Sequence, residues 1–201
     1  SSTLTDPIEG SFTWNNSSGG EIVLRGYDDE LEIYTSTLAA WTKLNDGLSS
    51  VAFQFTTWWS TSEGIDLLIF VDGVSDDMYE WSGGITTYAS ATSNTITKQG
   101  SGTWAASRFL IAGTRKVRIL DSGGTWREFT YTGGETTTAL TGVTPDPTGF
   151  TFVAGANVFQ SVRTNSNIPA SGFISSSIRV LNNQIWAISA TSQKVYVSKD
   201  T

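Results

Sequence analysis

A short segment near the middle of the chain, "DSGGTW" (121–126), has residue types and spacing that could serve either chemistry or a tight turn. The segment could mark a glycan-cleaving enzyme, a class that works with a pair of carboxyl groups. Asp121 could instead accept hydrogen bonds from backbone N–H groups of a turn. Gly123 would then take a dihedral angle that side chains resist, and Trp126 would pack over the hairpin. Since the turn accounts for every one of these residues, the segment predicts a structural hairpin.

The spacing D-x-G-x-T-W from Asp121 to Trp126 resembles the Asp-box, a turn on the blades of many β-propellers, including those of sialidases. The resemblance implies a propeller hairpin. A sialidase also needs three arginines that hold the substrate carboxylate, a Tyr nucleophile with its Glu, and an Asp acid. Its Arg-Ile-Pro signature is missing here, because "SNIPAS" (166–171) has the Ile-Pro without the Arg. An Asp-box glycosidase is therefore only the third function that we consider.

The composition excludes several classes of site. With no Cys and no His, the chain has no disulfide, no Cys-based zinc site, no Ser-His-Asp or Cys-His triad and no imidazole-bound metal. With 12 basic and 19 acidic residues, the net charge is −7, and the basic residues form no stripe that would follow a phosphate backbone. We expect no catalytic residue, no cofactor, no metal, no membrane and no sequence-specific nucleic acid as partner.

Two acidic segments, "GYDDELE" (26–32) and "DGVSDD" (72–77), concentrate carboxylates in predicted turns. Either could bind a calcium ion through oxygen ligands or supply the carboxylates of a glycosidase. Neither has the spaced D-x-D-x-D-G pattern of a calcium loop. Adjacent acids in turns are usually solvated, so we expect exposed acidic loops.

Adjacent tryptophans stand in the predicted strand "TTWWS" (56–60). Successive side chains of a strand face opposite ways, so Trp58 and Trp59 cannot share one environment. Core packing of both, the second under a loop, is the plain interpretation. An exposed Trp would otherwise suit a protein contact or stack on a sugar ring. We take Trp58 or Trp59 as the candidate contact residue.

Apolar runs separated by polar turns recur along the chain, and five such pairs predict β-hairpins. Successive hairpins start 45, 42, 42 and 34 residues apart. A period of about 40 residues with strands inside each unit is typical of propeller blades. The predicted hairpins span residues 21–34, 66–81, 108–120, 150–162 and 184–198.

These repeats predict an all-β fold, a propeller-like array of about five antiparallel blades, with a β-sandwich as the alternative. We expect residues 1–201 to form a single domain that is a piece of a longer chain. In the alternative explanation of the unfinished last blade, "GSFTW" (10–14) completes it by adding a strand. A Trp can fill the groove between two blades, where apolar burial is worth about 25 cal/mol per Å². The residues predicted to pack in this way are Trp41, Trp81, Trp126 and Trp186.

Three segments resemble β-propeller regions of tailed-bacteriophage virion proteins: "SGGEIVLRGYDDELEIY", "LLIFVDGVSDDMYEWSGG" and "IRVLNNQIWAISATSQKVYVSKDT". The resemblance implies a non-enzymatic structural protein of the tail, nozzle or head–tail region, located in the virion. Its partners would be other virion proteins and further copies of the chain. The alternative is a carbohydrate-binding propeller on a phage tail or a secreted protein, with a host glycan as ligand.

Overall fold

The computed structural model describes residues 8–48, 52–74, 77–113, 115–164 and 174–198. Within these ranges the chain forms seventeen strands and two short 3-10 helices, and no α-helix, so the all-β prediction is confirmed. The strands are β1 (Gly10–Asn15), β2 (Glu21–Tyr27), β3 (Glu30–Tyr34), β4 (Thr42–Asn45), β5 (Gln54–Ser60), β6 (Ile65–Val71), β7 (Tyr79–Trp81), β8 (Ile85–Thr92), β9 (Thr95–Lys98), β10 (Lys116–Leu120), β11 (Trp126–Thr130), β12 (Ala139–Thr141), β13 (Asn157–Gln160), β14 (Arg163–Thr164), β15 (Ser175–Leu181), β16 (Gln184–Ser189) and β17 (Val195–Val197).

The chain divides into two compact units. The first unit comprises Ser1–Glu80 and Val162–Thr201, and the second comprises Trp81–Ser161. The second unit is thus an insertion in the sequence of the first, between β7 and β14.

The first unit contains three sheets in which neighbouring strands follow one another along the chain. Their orders are β1-β2-β3-β4, then β5-β6-β7-β14, then β15-β16-β17. The resolved ladders are antiparallel, as expected for strands that short turns connect. In the second of these sheets, β7 and β14 are neighbours although the second unit separates them in the sequence.

The first and second sheets pack face to face through aromatic residues. The alternation in β2 places Ile22 and Leu24 on the buried face. On the same face, Phe12 of β1 stacks on Phe55 of β5, with ring centroids 5.8 Å apart. Gly26 leaves room for Phe53, since a Cβ at position 26 would lie 2.1 Å from its ring.

The third sheet approaches the opposite face of the second one. Phe55 and Trp58 stand three positions apart in β5, so their side chains face opposite ways. The indole Nε1 of Trp58 donates a hydrogen bond to the carbonyl oxygen of Asn183 in the β15–β16 turn, at 2.9 Å. Strand β15 also runs close to β5 and β6. The second sheet therefore lies between the first and the third.

An ion-pair cluster stabilises the position of β14, the strand with which the chain re-enters the first unit. Arg163 of β14 pairs with Glu80 of β7 in the ladder, and their side chains form a salt bridge. The guanidinium also lies 3.4 Å from Glu63, whose side chain is 1% exposed. Buried charges of this kind are tolerated only when they are paired.

The second unit is built on one six-stranded sheet of order β11-β10-β13-β8-β9-β12. Here β13 pairs with both β10 and β8, which precede it in the chain by more than thirty residues. Its core contains the buried side chains of Tyr88, Ile96, Trp104, Phe109, Val117, Ile119, Phe129, Tyr131, Leu140, Val143 and Val158.

Two of the five predicted hairpins occur in full within the described residues, at 21–34 and 184–198. The strands predicted at 66–81 are neighbours in one sheet, and residues 75 and 76 of their connection lie outside the described ranges. The predictions at 108–120 and 150–162 are wrong in their first halves. Arg108 takes a left-handed φ of 64°, and the N–H of Leu110 bonds the side chain of Gln160 instead of a strand. Phe152 stands in a segment that is not a strand and packs on Phe129, at 5.9 Å.

The segment "GSFTW" (10–14) belongs to β1, which pairs with β2 and not with the last sheet. The alternative in which this segment completes the last blade is therefore wrong. The 16–19 turn, in which the N–H of Gly19 bonds the carbonyl oxygen of Asn16, returns the chain directly into β2. Local hairpin closure thus decides the partner of this strand.

Candidate functional site

The Asp-box-like turn connects β10 to β11, and Asp121 is its centre. One carboxylate oxygen accepts hydrogen bonds from the N–H groups of Gly123, at 2.9 Å, and Thr125, at 2.8 Å. The other oxygen accepts a hydrogen bond from Arg127 Nε at 2.7 Å. The backbone N–H of Thr125, followed by the Arg127 side chain, lowers the pKa of Asp121. A carboxylate held in this way fits the role of a turn organiser better than that of a proton donor.

Two details of this turn differ from the sequence-based expectation. The residue with the left-handed conformation is Gly124, with φ 81°, and not Gly123. At Gly123 a Cβ would lie 3.3 Å from Asp121 Oδ1, so glycine at this position leaves space for the carboxylate. Trp126 lies on β11 and packs against Phe159 of β13, with centroids 5.4 Å apart, and under the guanidinium of Arg118 at 4.6 Å.

The acidic segments supply no metal centre among the residues that the structure describes, where no group of three potential ligands is found. Asp28 and Asp29 are exposed in the β2–β3 turn. Burial acts to raise the pKa of Glu30, but hydrogen bonds from Lys43 and Tyr27 outweigh it and lower that pKa. The segment 72–77 includes residues 75 and 76, which lie outside the described ranges.

The two adjacent tryptophans have different surroundings. Trp58 is half-buried and donates to the backbone of Asn183, so it contributes to the packing of the first unit. Trp59 stands opposite Asp66 and is 47% exposed. Of the two candidate contact residues, Trp59 is therefore the one that solvent or a ligand reaches.

The remaining tryptophans separate into a buried group and an exposed one. Trp14, Trp81 and Trp104 are at most 1% exposed. Trp81 and Trp104 donate their indole N–H groups to backbone carbonyls, at 2.8 and 2.9 Å. Trp41 and Trp186, which the sequence predicted as packing residues, are each 37% exposed. Their large apolar rings are available to a partner.

The outward side of the β15–β16–β17 sheet carries a continuous apolar surface, which we name the apolar face. Strand β16 alternates strictly, with Ile185 and Ala187 buried while Trp186 and Ile188 point outward. In the ladder, Trp186 stands opposite Val197 and Ile188 opposite Val195, so these side chains share one side of the sheet. The exposed members are Trp186 at 37%, Ile188 at 51%, Leu181 at 57% and Val195 at 58%.

The charges around the apolar face differ in sign from those of the whole protein. Residues 174–198 include Arg179 and Lys194 but no Asp or Glu, whereas the chain as a whole has a net charge of −7. Arg179 stands opposite Trp186 in the ladder, and Lys194 is exposed in the β16–β17 turn. Large apolar patches with a polar rim mark interaction sites in soluble proteins.

A groove of about 500 Å³ lies beside the free edges of β1 and β5. Phe12 and Phe55 supply apolar surface, and hydroxyl and charged groups surround them. Each of these edge strands pairs on one side within the described sheets, so a row of backbone polar groups faces away from its own sheet. The lining residues are Glu9, Gly10, Ser11, Phe12, Phe53, Gln54, Phe55, Thr56, Thr57 and Arg179.

Sequence reasoning missed the apolar face, although a signal was available. In "QIWAIS" (184–189) both alternating positions are apolar, and such a strand is buried on both faces when another layer covers it. The groove had no local signal, because it depends on how β1 and β5 come together from distant parts of the chain.

Comparison of the chain with family models, curated proteins and solved structures gave no match in any of the three. Among the described residues, no helix has the length and apolar character required to cross a membrane.

Proposed function

We propose that this protein is a non-enzymatic structural component that acts through protein–protein contacts made by its apolar face. The observation that carries the proposal is the exposure of four large apolar side chains on one side of the three-stranded β15–β16–β17 sheet. An apolar surface of this kind gains free energy when a partner removes it from water, at about 25 cal/mol per Å².

The finer fold assignment, a propeller, belongs to the same proposal. Each sheet of the first unit is a meander in chain order, and consecutive sheets stack face to face, as neighbouring blades of a propeller do. Two stacked sheets also occur in a β-sandwich, which remains the alternative architecture. A third layer stacked in the same sequence favours the propeller.

The virion setting is proposed from the resemblance of the three segments to phage propeller regions. Two of these segments lie in meander sheets of the first unit, one at 18–34 and the other at 178–201 as far as it is described. In such a setting the net charge of −7 also disfavours contact with DNA phosphates. Other virion proteins and further copies of the chain are the partners proposed.

The proposal is tested by competition for incorporation. A tagged Ile188→Asp variant is co-expressed with the unmodified protein in its natural source, and the tagged fraction is measured in the assembled and free pools. We expect exclusion from the assembly, because a carboxylate at position 188 would be desolvated without a partner. A Ser101→Asp variant, altered at an exposed turn of the second unit, is the matched control and should be incorporated normally. Normal incorporation of Ile188→Asp would contradict the proposal.

A second candidate function, carbohydrate binding, is favoured by the groove beside β1 and β5. Its aromatic surface and its ring of hydroxyl, amide and charged side chains have the composition that sugars require. The test is glycan-array binding by the whole chain, compared with a Phe12→Ser variant. Binding that disappears in this variant would support the candidate, and absence of binding to any glycan would count against it.

A further inference from the structure

We infer that the partner of the apolar face is a second copy of this chain, which presents the outward side of its β1–β4 sheet. This inference deepens the proposed function and rests on it. The contact would join two different surfaces of two identical chains. Such a head-to-tail contact repeats until the assembly closes into a ring or grows as a filament.

The sheets of the first unit form a continuous stack. In one chain the β1–β4 sheet packs on the β5–β6–β7–β14 sheet, and that sheet packs on the β15–β17 sheet. The two outward sides of this stack are the apolar face and the outward side of the β1–β4 sheet, which we name the acidic face. Placing one against the other in two chains repeats the packing that each chain already uses twice.

The two outward faces of the stack differ in charge. Residues 8–48, which form the β1–β4 sheet and its turns, contain seven acidic residues and two basic ones. The strip that forms the apolar face has two basic residues and no acid. Opposite charges on two surfaces raise the rate at which they associate and fix their register. Like charges on two surfaces disfavour their association. This opposes pairing of two acidic faces or of two apolar faces.

The residue content of the acidic face also suits this contact. In its ladder Arg25 stands opposite Glu32, and the two form a salt bridge in which Glu32 is buried, while Glu30 pairs with Lys43. Exposed carboxylates remain at Glu21 on β2 and at Asp29 in the β2–β3 turn.

Two aromatic residues complete the surface: Tyr34 and Trp41 are each 37% exposed, with ring centroids 5.8 Å apart. Their rings offer apolar area to Trp186 and Ile188 of the other copy, while the exposed carboxylates of Glu21 and Asp29 offer charge to its Arg179 and Lys194.

The size of the surfaces sets the strength of the association. Three strands about 4.8 Å apart and roughly 20 Å long cover about 300 Å² in projection. This is below the ~800 Å² per partner of a standard specific interface, so the contact should be weak for an isolated pair and sensitive to salt. Two copies would contribute six sheets of this stack, within the range of four to eight blades in closed propellers.

The test uses charge reversal on the two faces of the full chain. One variant reverses the apolar face (Arg179→Glu with Lys194→Glu), and the other reverses the acidic face at exposed positions (Glu21→Lys with Asp29→Lys). Solution mass is measured by light scattering at increasing concentration, and circular dichroism verifies that each variant folds. We expect the unmodified chain to exceed the 21.6 kDa of one copy, and each variant alone to remain at that mass.

The equimolar mixture of the two variants, and the chain that carries all four substitutions, should both recover association. A mass of 21.6 kDa for the unmodified chain at every concentration would overturn the inference. So would association of the variant with the reversed acidic face at the unmodified level. If only the variant with the reversed apolar face loses association, two apolar faces pair with each other. The inference would then be wrong, but the proposed function would survive. The incorporation experiment with Ile188→Asp decides the proposed function separately.

Discussion

Trp14 in β1 donates its indole N–H to a carboxylate oxygen of Asp66 in β6, at 2.8 Å, and this hydrogen bond joins the first two sheets. The same carboxylate accepts a hydrogen bond from the backbone N–H of Ser17, at 3.0 Å. Because Trp14 is 1% exposed, its N–H has little access to water if the carboxylate is removed. The pair therefore fixes the position of one layer on the next as well as contributing to stability.

We expect Asp66→Ala to lower the free energy of unfolding by about 1–3 kcal/mol, the cost of a buried polar group without its partner. In a Trp14→Phe background, where no indole N–H exists, the same substitution should cost less. Urea denaturation of the four proteins of this cycle gives the coupling between the two side chains. Equal costs in both backgrounds would show that the hydrogen bond contributes nothing.

Gly26 of β2 lies directly against Phe53, the residue before β5, whose ring occupies the space of the missing side chain of Gly26. We expect Gly26→Ala to destabilise the protein by about 1–3 kcal/mol through overpacking against the ring. Gly149→Ala is the control, since a Cβ there has no neighbour within 4 Å and the backbone φ is ordinary. Thermal denaturation should leave the control near the unmodified protein; similar losses in both would argue against overpacking.

The ion-pair cluster at Arg163 should be strongly coupled to folding. Arg163→Met leaves Glu63 and Glu80 without their shared cation, and we expect a loss of about 3–5 kcal/mol. Adding Glu63→Gln and Glu80→Gln to this variant removes the stranded charges and should restore part of the stability. Equilibrium denaturation measures both changes. No recovery in the triple variant would indicate that packing, and not charge, determines the loss.

Asp121 should make the stability of the second unit depend on pH. Its pKa in the folded chain lies below the usual 3.8, so the folded state favours the ionised form. The stabilisation is therefore present above the unfolded pKa and is lost as the pH falls through the folded pKa. We expect Asp121→Ala to melt a few degrees lower than the unmodified protein at pH 7, and the gap to narrow below pH about 4.

The control for this pH series is Ser122→Ala, which removes a side chain from the same turn without a titratable group. Its difference from the unmodified protein should not change with pH. A gap for Asp121→Ala that stays constant down to pH 2 would contradict the role of the ionised carboxylate.

The local features of the fold could be predicted from the sequence, and the long-range ones could not. The hairpins at 21–34 and 184–198 follow from alternating apolar residues around a turn, since both strands and their connection lie within fifteen residues. The hydrogen bonds of Asp121 to its own turn are equally local. These features need no knowledge of the rest of the chain.

The strand order of the second unit could not be predicted from local sequence patterns. Strand β13 inserts between β10 and β8, and no local pattern records which distant strands become neighbours. At 108–111 and 150–156 the apolar runs have strand composition, but the side chain of Gln160 and the aromatic packing of Phe150 and Phe152 take the place of a ladder. Tertiary context outweighs β-propensity at both segments.

The candidate contact residues also have features that the sequence predicts and features that depend on distant residues. The opposite orientation of Trp58 and Trp59 follows from strand geometry alone. Which of them is exposed depends on Asn183, which is 125 residues away in the sequence. The apolar face was missed because an apolar strand is expected to be covered on both sides, and the structure leaves one side of β16 open.

The most direct test of the account is hydroxyl-radical footprinting of Trp186, read by mass spectrometry, in the isolated chain and in the assembly purified from its source. Trp186 is 37% exposed in the chain alone, so it should be oxidised readily there. Leu120, at 36% exposure on β10 and outside the proposed contact surfaces, provides the internal reference. The oxidation of Trp186 relative to Leu120 should therefore fall in the assembly. Equal oxidation of Trp186 in both states would contradict the claim that the apolar face is the contact surface of this protein.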